Sequence, residues 1–247
     1  MKMRLSKAWL IAAKDLRIFL KKKTIMYSAG LLPFFIAVGT PLILRFAIAR
    51  RSGLPASTLV SLMNAFSFFP VILAAFVPIS IASYSLVGEK IEKSLEPLLS
   101  TPITDGELFL GKAIAGFIPT IVPIYLASAV YMILADVFTY PRLGYYYLPS
   151  ATTWLILFPL IPLAVIFSIE LGVLISSRVS DVRSAQTLGG LALLPFAAIY
   201  VGTETGLITL DDRNLVFIAA ATLAVDIVLY VLSTKTFRRE EILTKWK

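Results

Sequence analysis

Residues Gly88 to Lys112 read GEKIEKSLEPLLSTPITDGELFLGK, and the rest of the chain is organised around them. They form a long polar interruption between two hydrophobic runs, and they carry helix start and stop signals in order. Ser94 is placed as an N-cap, because its hydroxyl can accept from the orphan amides of the following turn. Glu96 and Pro97 fall in that first turn, where a carboxylate meets the positive helix end and proline loses no needed donor. Pro102 closes the segment, since Thr101 before it is pushed out of the α region. The spacing therefore predicts about a turn and a half of helix with Leu95, Leu98 and Leu99 on one face. Thr104 and Glu107 then form a T-x-x-E capping box that starts the next helix. A short helix with one apolar face, hung between two membrane spans, either lies on the lipid surface or docks against another surface.

Composition explains why the flanking runs are read as spans. Of 247 residues, 58% are hydrophobic and only 15% charged, with a mean hydropathy of +0.85. A soluble domain sits nearer 45–50% apolar and about 25% charged. The chain is therefore expected to be an all-α membrane protein. Its lack of cysteine and histidine excludes disulfides, thiol nucleophiles, His-ligated metals and histidine acid–base chemistry. Apolar runs lie near 25–44, 64–87, 107–134, 154–176, 186–203 and 215–234, each about the length that crosses 30 Å of hydrocarbon. The fifth is the shortest and reads as either continuous or re-entrant, with Pro195 at its middle. Nine of the 14 prolines fall inside these runs, so kinks are expected wherever a neighbour must re-satisfy a freed carbonyl.

Charge sets the orientation. With a cytoplasmic N-terminus, 18 Lys and Arg residues lie inside and five outside (Arg45, Arg50, Arg51, Arg142 and Arg213). That asymmetry follows the positive-inside rule and places both termini, including the tail 235–247, in the cytoplasm of a plasma-membrane protein. The net charge of +8 is thus a topology signal, and no nucleic acid is implied. Residues 3–23 read as an interfacial amphipathic helix retained in the protein. Leu5, Ala8, Trp9, Ala12, Leu16, Phe19 and Leu20 lie towards lipid, with Arg4, Lys7, Lys14, Arg17 and Lys21 mostly opposite. The outer loops, about 45–63, 135–153 and 204–214, are too short for a folded domain. Tyr140, Tyr145, Tyr146, Tyr147 and Trp154 read as an outer aromatic belt or, more sharply, as a substrate gate.

The order of residues in the central stretch resembles the type-2 ABC exporter permeases: a Glu-Lys pair closing the second span (Glu89, Lys90), then Leu95 to Leu99, then Thr101-Pro102, then Gly111-Lys112 opening the third span. The six-span layout resembles that family over essentially the whole chain, 1–247, as one permease domain. The resemblance implies that 89–104 is the cytoplasmic coupling region. Glu89, Lys90, Glu92, Ser94, Leu95, Glu96, Pro97, Leu98, Leu99, Thr101 and Pro102 would then dock into a separate ABC ATPase. It also implies two ATPase copies, a second permease copy or sister permease, and ATP and Mg bound by the partner. The chain would not be catalytic by itself.

Other motifs carry less. Gly106 to Lys112 matches G-x-x-x-x-G-K, but a P-loop needs Ser or Thr next, and Ala113 stands there at the opening of a helix. Asp211-Asp212 lacks the converging carboxylates of a Mg²⁺ site and reads as a solvated turn. Glu170 and Asp226 are acids inside spans, which makes them candidates for a substrate or ion path, or for packing and subunit contacts. Glu170 stands about two turns from the inner end, where it could pair with Arg178 or snorkel. These acids keep a second reading open, a stand-alone carrier or channel. A membrane-embedded lipid-modifying enzyme is disfavoured, because no metal or nucleophile constellation is evident.

Overall fold

In lipid a backbone must satisfy its own donors and acceptors, so long apolar segments fold as helices. The computed structural model describes residues 5–21, 23, 27–50, 55–91, 103–179, 181–205 and 207–236. Among these, six helical stretches are long and apolar enough to cross a membrane: Ala29–Ala49, Ala56–Ala82, Gly106–Leu143, Ala151–Ser176, Val182–Thr203 and Asp212–Ser233. The protein is an all-α membrane protein.

Its helices are α1 (Leu5–Lys21), α2 (Leu32–Arg50), α3 (Ala56–Phe66), α4 (Phe69–Ile91) and α5 (Asp105–Leu143), then α6 (Ala151–Leu155), α7 (Ile161–Arg178), α8 (Val182–Gly189), α9 (Leu193–Glu204) and α10 (Asp212–Thr236). The second and fourth spans form the centre, 67% and 61% buried, while the fifth and sixth are only 28% and 22% buried. At the centre, α4 and α7 approach through small residues. A Cβ on Gly172 would stand 2.5 Å from the Cβ of Ala82, and Ser168 donates to the Ala75 carbonyl at 2.6 Å. Small residues let membrane helices close up where burial of apolar surface gives no drive between them.

Several spans depart from their expected limits, each for a local reason. The second begins at Ala56 and is interrupted at Ser67–Phe68 before α4 begins. Pro70 causes the break, because it has no N–H for the Phe66 carbonyl and its ring crowds that turn. The Met63 carbonyl at this break accepts from Ser67 Oγ at 2.8 Å and from Tyr131 Oη of α5 at 2.7 Å. The third span does not stop near 134. It continues to Leu143, and Asp136 near its end accepts from the amides of the turn beyond. Gly144, at φ 76°, then ends it. The expected outer loop 135–153 is correspondingly shorter.

The fourth span opens with α6 and a π-turn, Ile156–Leu160, around Pro159. In that turn Ile161 N bonds to the Ile156 carbonyl, and Pro162 offers no N–H for Leu157. Tyr125 of α5 donates to the Leu157 carbonyl instead, at 2.9 Å. This is the rescue by a neighbouring helix that lipid demands. The fifth span is continuously helical from Val182 to Glu204, tightened into a 3₁₀ turn at Gly190–Ala192 ahead of Pro195.

Candidate functional site at the inner end and within the bilayer

The central stretch returns to the membrane through a complete capping box. Thr104 Oγ1 accepts from Glu107 N at 3.2 Å, and Glu107 Oε2 accepts from Thr104 N at 2.9 Å. Two orphan donors of α5 are thereby satisfied at the point where the sequence placed its start. Of the expected docking residues, Glu89 and Lys90 stand in the last turn of α4, which runs to Ile91. Glu92, Ser94, Leu95, Glu96, Pro97, Leu98, Leu99, Thr101 and Pro102 lie outside the described residues.

Immediately above the cap, α5 is held by the N-terminal helix. A Cβ on Gly111 would lie 2.7 Å from the Ala8 carbonyl oxygen and 2.8 Å from the Ile11 Cβ, so only glycine permits this approach. One residue on, Lys112 Nζ stands 3.5 Å from Asp15 Oδ2, and both side chains are buried. The expected lipid face of α1 is therefore corrected. Ala8, Ile11, Ala12, Asp15 and Phe19 turn inwards, while Trp9 (56% exposed) and Leu20 (51%) face away. Asp15 lies on that buried side, where Lys112 meets it at 3.5 Å and Lys14 stands 4.0 Å away. Sequence periodicity alone missed this pair, whose members are 97 residues apart. The G-x-x-x-x-G-K spacing runs through the first turns of α5.

Within the bilayer, Glu170 of α7 and Asp226 of α10 are 5% and 4% exposed. Glu170 Oε2 and both Asp226 carboxyl oxygens are buried with no hydrogen-bond partner. The expected pairing of Glu170 with Arg178 does not form within ion-pair distance, because eight residues of helix separate them by about 12 Å. Glu170 lies in the wall of a cavity of about 270 Å³ between α5, α7 and α10, which also takes in Phe109, Phe117, Ile169 and Tyr230. The Phe109 and Tyr230 rings meet edge to face, with centroids 5.9 Å apart. Among the described residues no group of three or more acidic side chains could hold a metal ion.

The outer end has a constellation that the sequence did not reveal. Asp136, buried near the end of α5, accepts from Tyr147 N and Leu148 N, both at 3.1 Å, and so pins the turn that leads to α6. Tyr147 is drawn inwards, its hydroxyl 2.9 Å from Asn64 Nδ2. Tyr140, Tyr145, Tyr146 and Trp154 remain exposed, with Tyr140 against Tyr146 and Trp154 stacked on Phe158. Asp211 accepts from Asn214 N, and Asp212 accepts from Thr152 Oγ1, so the acidic pair caps and ties the start of α10.

Residues 19–180 match the family model described as ABC-2 family transporter protein, about two thirds of the chain. The chain belongs to the ABC-2 family. The match takes in the first four spans and the central stretch; the fifth and sixth spans, with Asp226, lie beyond it. No match was found among curated proteins. ABC-2 membership makes this a multi-pass transport subunit of the ABC class, a kind of permease that associates with an ABC ATPase.

Proposed function

We propose that this ABC-2 chain is the permease subunit of an ATP-driven exporter and that the stretch 89–104 couples it to a separate ATPase. The observation that carries the reading is the family match over the four spans that flank and contain this stretch. The capping box at Thr104 supports it, because it fixes where the loop ends and a rigid 39-residue helix begins. Force on Leu95, Leu98 and Leu99 would then pass into α5 within one turn. Glu89, Lys90, Glu92 and Glu96 would set the charge match with the docking groove. Ser94, Pro97, Thr101 and Pro102 would shape the short helix, and ATP and Mg would be held by the partner. Two permease copies, or this chain with a sister permease, would line the pathway between them. The charge asymmetry supports a cytoplasmic side for both termini and the docking stretch.

The test is co-purification from the native host. The wild-type chain is expected to bring down an ATP-binding protein in stoichiometric amount, and Leu98→Glu to insert normally yet lose it. Normal co-purification and transport by Leu98→Glu would sink the docking assignment. The orphaned acids Glu170 and Asp226 favour a second reading, a stand-alone carrier. Gradient-driven uptake by liposomes that contain this chain alone would establish it.

A further inference from the structure

Buried polar groups in native structures have partners, and each exception calls for a reason. Here three carboxyl oxygens on two neighbouring helices are exceptions together: Glu170 Oε2, Asp226 Oδ1 and Asp226 Oδ2. Asp226 precedes Tyr230 by one turn of α10, so both lie on one face of that helix. No basic side chain of the described residues forms an ion pair with either acid. Lys112, the cation that α5 carries nearby in sequence, is held by Asp15 at 3.5 Å. Glu170 and Tyr230 both lie in the wall of the 270 Å³ cavity, whose other residues are all apolar.

We propose that this cavity binds an amphipathic organic cation, a quaternary or protonated amine carried on a compact apolar body. The ammonium centre faces Glu170 and the Phe109–Tyr230 ring pair, and the apolar body rests against Ala113, Phe117 and Ile169. Each part of that assignment follows from an observation. A buried carboxyl without a partner favours a ligand that brings its own positive charge, because an ammonium beside it stabilises the carboxylate form. An aromatic pair adds attraction for a cation over a ring face, which grows when water is excluded. The apolar remainder of the wall disfavours a bare, strongly hydrated ion, and among the described residues no third acid joins Glu170 and Asp226 to complete a metal site. The volume, just under the usual range of about 300–1,000 Å³ for ligand sites, sets a small ligand. Phe109 lies one turn beyond the Thr104 cap, so the cavity belongs to the inner half of the bundle and is loaded from the cytoplasmic leaflet. That direction, and the role of the cation as cargo, rest on the exporter reading above.

The experiment uses the chain with whatever ATPase accompanies it, reconstituted in nanodiscs. The probe is radiolabelled benzyltrimethylammonium, and the competitor is neopentylbenzene, its uncharged isostere. Saturable binding is expected, with the isostere at least roughly tenfold weaker. Glu170→Gln should weaken the cation by roughly tenfold or more, and Tyr230→Leu by a few-fold. Equal competition by the isostere, wild-type affinity in both Glu170→Gln and Asp226→Asn, or no saturable binding would each overturn the site. The isostere comparison needs no variant, so it holds even if a substitution disturbs folding. Retained ATPase without cation binding removes the cation site alone. Cation binding with no ATPase removes the coupling assignment and leaves the site standing.

Discussion

The buried carboxyls along α5 and those between α7 and α10 have opposite fates. Asp15 and Asp136 are matched: one meets Lys112, and the other accepts from two backbone amides. Glu170 and Asp226 are as deeply buried, yet they retain three orphaned oxygens. Taking a charge out of water costs several kcal/mol unless geometry repays it. The first pair of sites is therefore architecture, with each acid fixing where a segment sits against α5. The second leaves buried carboxyl oxygens without partners, the feature on which the proposed cation site rests.

The contrast makes ordered predictions. The largest effect belongs to Lys112→Met, which removes the buried cation 3.5 Å from Asp15 in the interface between α1 and α5. A loss of about 3–5 kcal/mol is expected, read as a lowered thermal midpoint in detergent, with much of it recovered in the double variant Asp15→Leu/Lys112→Met. A single variant as stable as wild type would show that Asp15 is not matched by Lys112 at all. Next comes Asp136→Ala, which leaves the amides of Tyr147 and Leu148 without their acceptor. About 1–3 kcal/mol is expected, with Asp136→Asn losing less because an acceptor oxygen remains. The smallest effect, and the one that sharpens the comparison most, is at the unmatched acids. Glu170→Gln and Asp226→Asn should leave the midpoint within about 1 kcal/mol of wild type, or raise it, because they replace buried carboxyls to which the fold offers no hydrogen-bond partner. A fall as large as that of Lys112→Met would erase the distinction between the two regions.

Much of this was legible beforehand. Six runs of apolar residues announce six spans, because a lipid-crossing helix needs length and hydropathy and little else. The T-x-x-E pattern announces the start of α5 because its logic is local, confined to four residues. Glu170 and Asp226 stand out because acids are scarce in spans. Legibility fails where meaning depends on distant partners. Asp15 reads as an ordinary charge on a basic amphipathic helix until α5 brings Lys112 to it. Asp136 reads as the edge of a loop, because no local rule shows that the amides of Tyr147 and Leu148 return to it. Gly111 reads as part of a motif, whereas its physical role is to admit the backbone of Ala8. Pro162 announced a freed carbonyl, but only the packing shows that Tyr125 answers it.

The length of α5 has a mechanical consequence. Its 39 residues extend about 58 Å, well beyond the 40–45 Å of a whole bilayer. Clamped to α1 near its lower end and to the turn before α6 near its upper end, it is a strut between the two faces of the membrane. A strut transmits displacement undiminished unless it has a joint. Pro119 and Pro123, one turn apart near its middle, leave two rungs of the hydrogen-bond ladder unmade and so supply that joint. On the proposed coupling, a push delivered at Thr104 would have two outcomes, lifting the outer turn or folding the rod between its clamps, and the stiffness of those two rungs would set the division between them.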